Sequence, residues 1–130
     1  MADEAQIVRR SIGIVFSDGG LLAVSAVRPR GAGGHGEESV AAVLCSADGA
    51  PVEVSETLLS TEYGPDGVQR RVTLELWVDD EGGQPLRGAG TLINATSVDH
   101  PGLQGRIAFF RWSLEGREGL GHYEVVRSDG

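Results

Sequence analysis

The sequence predicts an all-β domain, on two observations. Turn sequences recur at short intervals, and between them apolar and polar residues alternate with a period of two. The turns are Asp18-Gly19-Gly20, the stretch from Pro29 to Gly36, Asp48-Gly49, Gly64-Pro65-Asp66-Gly67, the stretch from Asp79 to Gly83, His100-Pro101-Gly102 and Glu115-Gly116. Aspartate–glycine pairs between β-rich runs suit hairpins, and hairpins in series build an antiparallel meander, sandwich or barrel.

The alternation is clearest from Arg71 to Val78. Val72, Leu74, Leu76 and Val78 share one face, and Arg71, Thr73, Glu75 and Trp77 share the other. From Ile107 to Leu114, Ala108, Phe110, Trp112 and Leu114 fall together, opposite Phe109, Arg111 and Ser113. Ile7 to Phe16, Leu21 to Val27, Val52 to Thr61, Leu86 to Thr96 and Leu120 to Val126 are further strands. Val40 to Cys45 is read as a strand, although Glu37-Glu38-Ser39 ahead of it also suits the cap of a short helix. The result is about seven or eight antiparallel strands, a sheet that closes into a barrel or curves strongly. The segment from Arg30 to Gly36, with four glycines in seven residues, suits a mobile loop over a barrel mouth. Residues 1–130 read as a single domain, with residues 1–6 a flexible terminus.

Composition narrows the function. The chain has 130 residues, 19 acidic and 11 basic, for a net charge of −8. Such a field repels phosphate backbones and anionic lipid, so neither nucleic acid nor a membrane is an expected partner. No apolar run approaches the roughly 20 residues of a membrane span. Every basic residue is arginine, which removes Schiff-base chemistry and the lysine of a phosphate-binding loop. A single cysteine, Cys45, excludes an intrachain disulfide. The acidic, polar start is unlike a secretory signal, so a cytoplasmic location is expected.

Four segments carry a family resemblance: the strand pair about Ser17-Asp18-Gly19-Gly20; Ala47-Asp48-Gly49 before a long alternating strand; Tyr63-Gly64-Pro65-Asp66-Gly67 and Trp77-Val78-Asp79-Asp80-Glu81-Gly82-Gly83 around a third; and the run from Arg111 to Glu124, of the form aromatic, turn, Gly-Arg-x-Gly-x-Gly-x-x-Glu. Together they resemble the lipocalin-like domains of the AttH and carotenoid 1,2-hydratase superfamily, in particular the C-terminal half, over about Ile12 to Val126. The resemblance implies a calycin-type barrel with a pocket for an apolar molecule. Characterised members of that group hydrate or cyclise isoprenoid- or polyketide-like substrates. The family joins two such domains in one chain, so the resemblance implies that the single domain here is an excised one, pairs with itself as a homodimer, or is partnered by a lipocalin-like domain of another chain.

His122 and Glu124 share a strand face behind Gly119-x-Gly121, which lets a backbone or a ligand approach closely. As candidate catalytic residues they would act as general acid and base; the alternative is a pair facing water or a neighbouring strand, or Glu124 bound to Arg111 or Arg117. Trp112, Phe110, Tyr123 and Arg111 are the candidate ligand-binding residues, with ordinary core packing as the alternative for the rings. Trp77 lies opposite the aliphatic face of its strand. No metal or other cofactor is expected: His35, His100 and His122 are far apart, and Asp79-Asp80-Glu81 reads as a solvated hairpin tip. Cys45 reads as an inert buried thiol, and the sequon Asn94-Ala95-Thr96 as chance. The expected function is binding of an apolar or amphipathic small molecule, with acid–base hydration, isomerisation or cyclisation where chemistry occurs. The alternative is a non-catalytic interaction module whose interior is filled by side chains.

Overall fold

The computed structural model describes residues 7–28, 38–78 and 83–129. Nine strands account for most of them: β1 (Ile7–Phe16), β2 (Leu21–Arg28), β3 (Ser39–Cys45), β4 (Pro51–Val52), β5 (Val54–Tyr63), β6 (Gln69–Val78), β7 (Leu86–His100), β8 (Leu103–Leu114) and β9 (Arg117–Ser128). The expected all-β class is observed, and the 39–45 segment is a strand, not a helix. Several boundaries differ from expectation, three of them widely. The run from Val52 divides at Glu53 into β4 and β5, and β7 and β8 both run on to the Pro101-Gly102 turn. The segments from Pro29 to Glu37 and Asp79 to Gly82, with His35, lie outside the described residues.

All nine strands form one antiparallel sheet in the order β4-β3-β2-β1-β9-β8-β7-β6-β5. Its outermost strands, β4 and β5, are separated in the chain by Glu53 alone. A sheet whose two edges are joined by a single residue must curl until those edges meet, so the sheet is a nearly closed barrel. A seam remains where β3 passes β5 without ladder pairing.

Alternation fills the interior. Ile12, Ile14 and Phe16 point inward from β1, Leu22, Val24 and Ala26 from β2, and Val72, Leu74 and Leu76 from β6. Ala108, Phe110, Trp112 and Leu114 do so from β8, and Tyr123 and Val125 from β9. Each fully buried Val, Leu, Ile or Phe side chain contributes roughly 1.5–3 kcal/mol to the core. One inward glycine makes room for the largest ring. Trp112 lies across its pairing partner Gly90, where an added Cβ would come within 2.6 Å of the indole. Its Nε1 donates to the Gly121 carbonyl at 3.3 Å. At Gly121 the β1 backbone presses onto β9 so closely that a Cβ would overlap the Gly13 carbonyl oxygen. The Gly119-x-Gly121 pair therefore admits a backbone, and it marks a sharp bend of the sheet.

The β8–β9 turn uses another device. Glu115 has φ of 48° and Gly116 φ of 81°, the left-handed pair that a two-residue hairpin requires. Glu115 holds that conformation through β7: its N–H donates to the Arg87 carbonyl at 3.0 Å and its carboxylate accepts the Arg87 N–H at 2.8 Å.

Candidate functional site

Three strands reach one rim of the barrel with an arginine on the inward face. The parity of Ile12, Ile14 and Phe16 carries Arg10 and Val8 inward on β1, that of Leu22, Val24 and Ala26 carries Arg28 inward on β2, and that of Tyr123 and Val125 carries Arg127 inward on β9. Val8 pairs with both Arg28 and Arg127. The two arginine backbones thus stand two strand spacings apart, about 10 Å. Arg10 lies one inward position deeper. Across the seam stand Leu59, Ser60, Thr61 and Tyr63 of β5, and with Glu38 they complete a cavity of about 510 Å³. Its lining is apolar at Val8 and Leu59 and cationic at the three arginines.

Arg10 is the deepest of the cations, its side chain only 13% exposed. Nε donates to Glu38 Oε2 at 3.0 Å, and Nη2 contacts the other carboxylate oxygen. Nη1 donates to Thr61 Oγ1 at 3.3 Å and to the Tyr123 hydroxyl at 3.2 Å, and those two hydroxyls lie 2.6 Å apart. One guanidinium therefore ties β1, the start of β3, β5 and β9 across the seam. Burial disfavours its charge, but the bonds to Glu38 and Tyr123 outweigh that and hold it above the ordinary arginine value. Arg28 and Arg127 are the cations placed nearest the opening.

Burial pushes the Tyr123 hydroxyl up to about 12, against the pull of Arg10. A tyrosine raised above its unfolded value of about 10 favours the neutral form in the fold, so its contribution is complete below pH 10 and is lost as pH rises from about 10 to 12. In a Tyr63→Phe variant Tyr123 is the one tyrosine left. Its phenolate absorbance is expected to develop with a midpoint displaced toward 12, and a midpoint near 10 would contradict its burial beside Arg10.

The wall beside Tyr123 holds Gln69, which is fully buried. Its Nε2 donates to the Arg106 and Tyr123 carbonyls at 3.1 and 2.9 Å, while Oε1 meets no donor among the described residues.

The six residues singled out from sequence divide between two faces. Phe110, Trp112 and Tyr123 are inside and at most 1% exposed. Phe110 stacks on Trp112 with centroids 5.2 Å apart and lies 6.0 Å from the Tyr123 ring. These rings fill the middle of the barrel, and only the Tyr123 hydroxyl reaches toward the mouth. His122 and Glu124 leave β9 on the outer face, joined at 3.0 Å with side chains 46% and 39% exposed. The imidazole lies over its pairing partner Gly13. Arg111 is also outside, in a groove with Val15, Glu118 and Leu120.

Glu124 pairs with His122 instead of an arginine. Arg117 binds Asp18 at 2.7 Å and sits 4.4 Å over the Phe16 ring; its hydrogen bond lowers the Asp18 carboxyl to about 2. Cys45 is only partly buried, on the outer side of β3, because the inward positions there belong to Ala42 and Leu44. Trp77 faces outward, as its alternation predicts, and is partly covered. Among the described residues no three His, Cys, Asp or Glu side chains converge as metal ligands.

The sequence reading missed Arg10, Arg28 and Arg127. The signal was present as parity, since each occupies the next inward position beyond an apolar run. What parity lacks is the adjacency of β2, β1 and β9, which brings the three strand ends to one rim.

The fold and this rim define a nearly closed antiparallel barrel with a basic, partly apolar mouth. No protein-family model matches the sequence, and no curated protein matches it significantly.

Proposed function

We propose that the barrel binds a small amphipathic molecule at its mouth, with the anionic end held by Arg28 and Arg127 and the apolar part against Val8 and Leu59. The observation that carries this reading is local charge. Among the described residues, Arg10, Arg28, Arg127 and Glu38 are the charged side chains that line a cavity of about 510 Å³, in a molecule whose net charge is −8. Cavities of this size suit small ligands, and guanidinium groups bind carboxylate or phosphate oxygens in a forked geometry. The likeness to lipocalin-like domains of the AttH and carotenoid 1,2-hydratase group supports a small-molecule ligand as well.

The proposal concerns binding. His122 and Glu124 face solvent on the far side of β9 from this cavity.

Octanoate and octanol serve as matched probes in calorimetric titration. Octanoate is expected to bind, octanol to bind at least about tenfold more weakly (1.4 kcal/mol), and the Arg28→Gln/Arg127→Gln variant to lose the difference. Equal binding of acid and alcohol would sink the arginine assignment. Failure of both probes, together with failure of longer fatty acids and polyenes, would favour the reading of the chain as an interaction module with a filled interior.

A further inference from the structure

Strand β7 is covered unequally on its two sides. β6 pairs with it only from Leu86 to Thr91, whereas β8 pairs with it as far as His100. Ile93 is the extra residue at the register shift between Leu92 and Asn94. Beyond it, Asn94 to His100 form an edge seven residues long, exposed at every position. Natural sheets guard such an edge with lysine, proline or a covering segment. This one has neither Lys, Arg nor Pro between Asn94 and His100. The Ala95 N–H is met by the Asn94 side chain at 2.9 Å, a local bond that stands in for a missing neighbour. Beside the edge on the outer surface lie Ile93, Val98, Leu103, Ile107 and Phe109, each 36–48% exposed.

We propose that this edge pairs with the same edge of a second copy, antiparallel about a two-fold axis through Ser97. The axis follows from the residues. Strands that keep their outer faces together about such an axis must set residues of equal parity opposite one another. An axis at Thr96 uses only Asn94 to Val98 of the edge and sets Asp99 and His100 against Ile93 and Leu92, where the register shift makes the strand irregular. An axis at Ser97 pairs Thr96 with Val98 and Asn94 with His100 on the outer face, and Ala95 with Asp99 and Ser97 with itself on the inner face. All seven residues are then used and no like charges meet. The repulsion between two copies of net charge −8 is weak at this edge, because its one carboxylate, Asp99, is bound to Arg106 at 2.9 Å. The same patch on both chains is what a closed dimer requires.

The contact is short, about 24 Å of edge at roughly 3.4 Å per residue. A dimer that dissociates on dilution is expected. Sedimentation velocity should show dimer at about 0.5 mM protein and monomer at about 5 μM, the behaviour of a small interface. Ser97→Lys and Ser97→Asp each place like charges across the axis and should be monomeric throughout, with melting temperatures unchanged from those of the monomeric parent. Mixed in equal amounts, the two variants should dimerise with each other. Wild-type protein that stays monomeric across the range would overturn the proposal. So would a dimer that persists in both single variants, which would place the interface elsewhere.

Discussion

Trp112→Ala is expected to lower stability by about 3–5 kcal/mol, the cost of emptying the site of a large buried aromatic side chain. The ring is 1% exposed, stacked on Phe110 and floored by Gly90. None of these neighbours can grow into the space, and the Gly121 carbonyl loses its indole donor. Urea unfolding reads the change directly, and a loss below about 1 kcal/mol would mean that the slot collapses freely. A coupling should accompany it. Gly90→Ala alone drives a methyl group into the indole, but in the Trp112→Ala background the same methyl group fills part of the hole, so the two substitutions should be strongly non-additive.

Gly121→Ala is expected to cost at least about 3 kcal/mol, beyond the usual range for an added methyl group. At Gly90 the obstacle is a side chain; at Gly121 it is the carbonyl of Gly13 and the Cα of Ile14 on β1. Backbone cannot rotate away, so β1 and β9 must separate and lose ladder bonds. Gly105→Ala is the control: its nearest neighbour to a new Cβ is the Val98 Cβ at 3.8 Å, and the variant should stay within about 1 kcal/mol of the parent. Thermal unfolding of the two variants side by side separates close backbone approach from a general intolerance of alanine in strands. Equal midpoints would show that β1 does not press on β9 as described.

How far the fold could be read from sequence follows from what lies beneath each strand. Arg71 to Val78 and Ile107 to Leu114 alternate because one face of each meets the core, and both lie in observed strands. The far half of β7, Asn94 to His100, has no core under it and no apolar alternation to report it. The break at Glu53 carries no turn residue, and it arises because the chain must leave one edge of the sheet and join the other. The outward placement of His122 and Glu124 was implied by parity once Tyr123 was inside, since neighbours in a strand face opposite ways. Arg10, Arg28 and Arg127 were each placed inward by the same rule. Their meeting depends on β1 lying between β2 and β9, a pairing that no local pattern encodes.

That pairing also orders events when the chain is made. Seven of the eight ladders join strands that follow one another in sequence; the eighth joins β1 to β9, setting Ile7 opposite Ser128. During synthesis from the N-terminus, β1 acquires one neighbour early and waits for the other until the final strand emerges. Through that interval the apolar face of Ile12, Ile14 and Phe16 stands at an open edge, the kind of surface on which nascent chains misassociate. The arrival of β9 supplies the missing partner, brings Tyr123 to Arg10 and sets Arg127 beside Val8, so the core and the mouth are completed in the same late step.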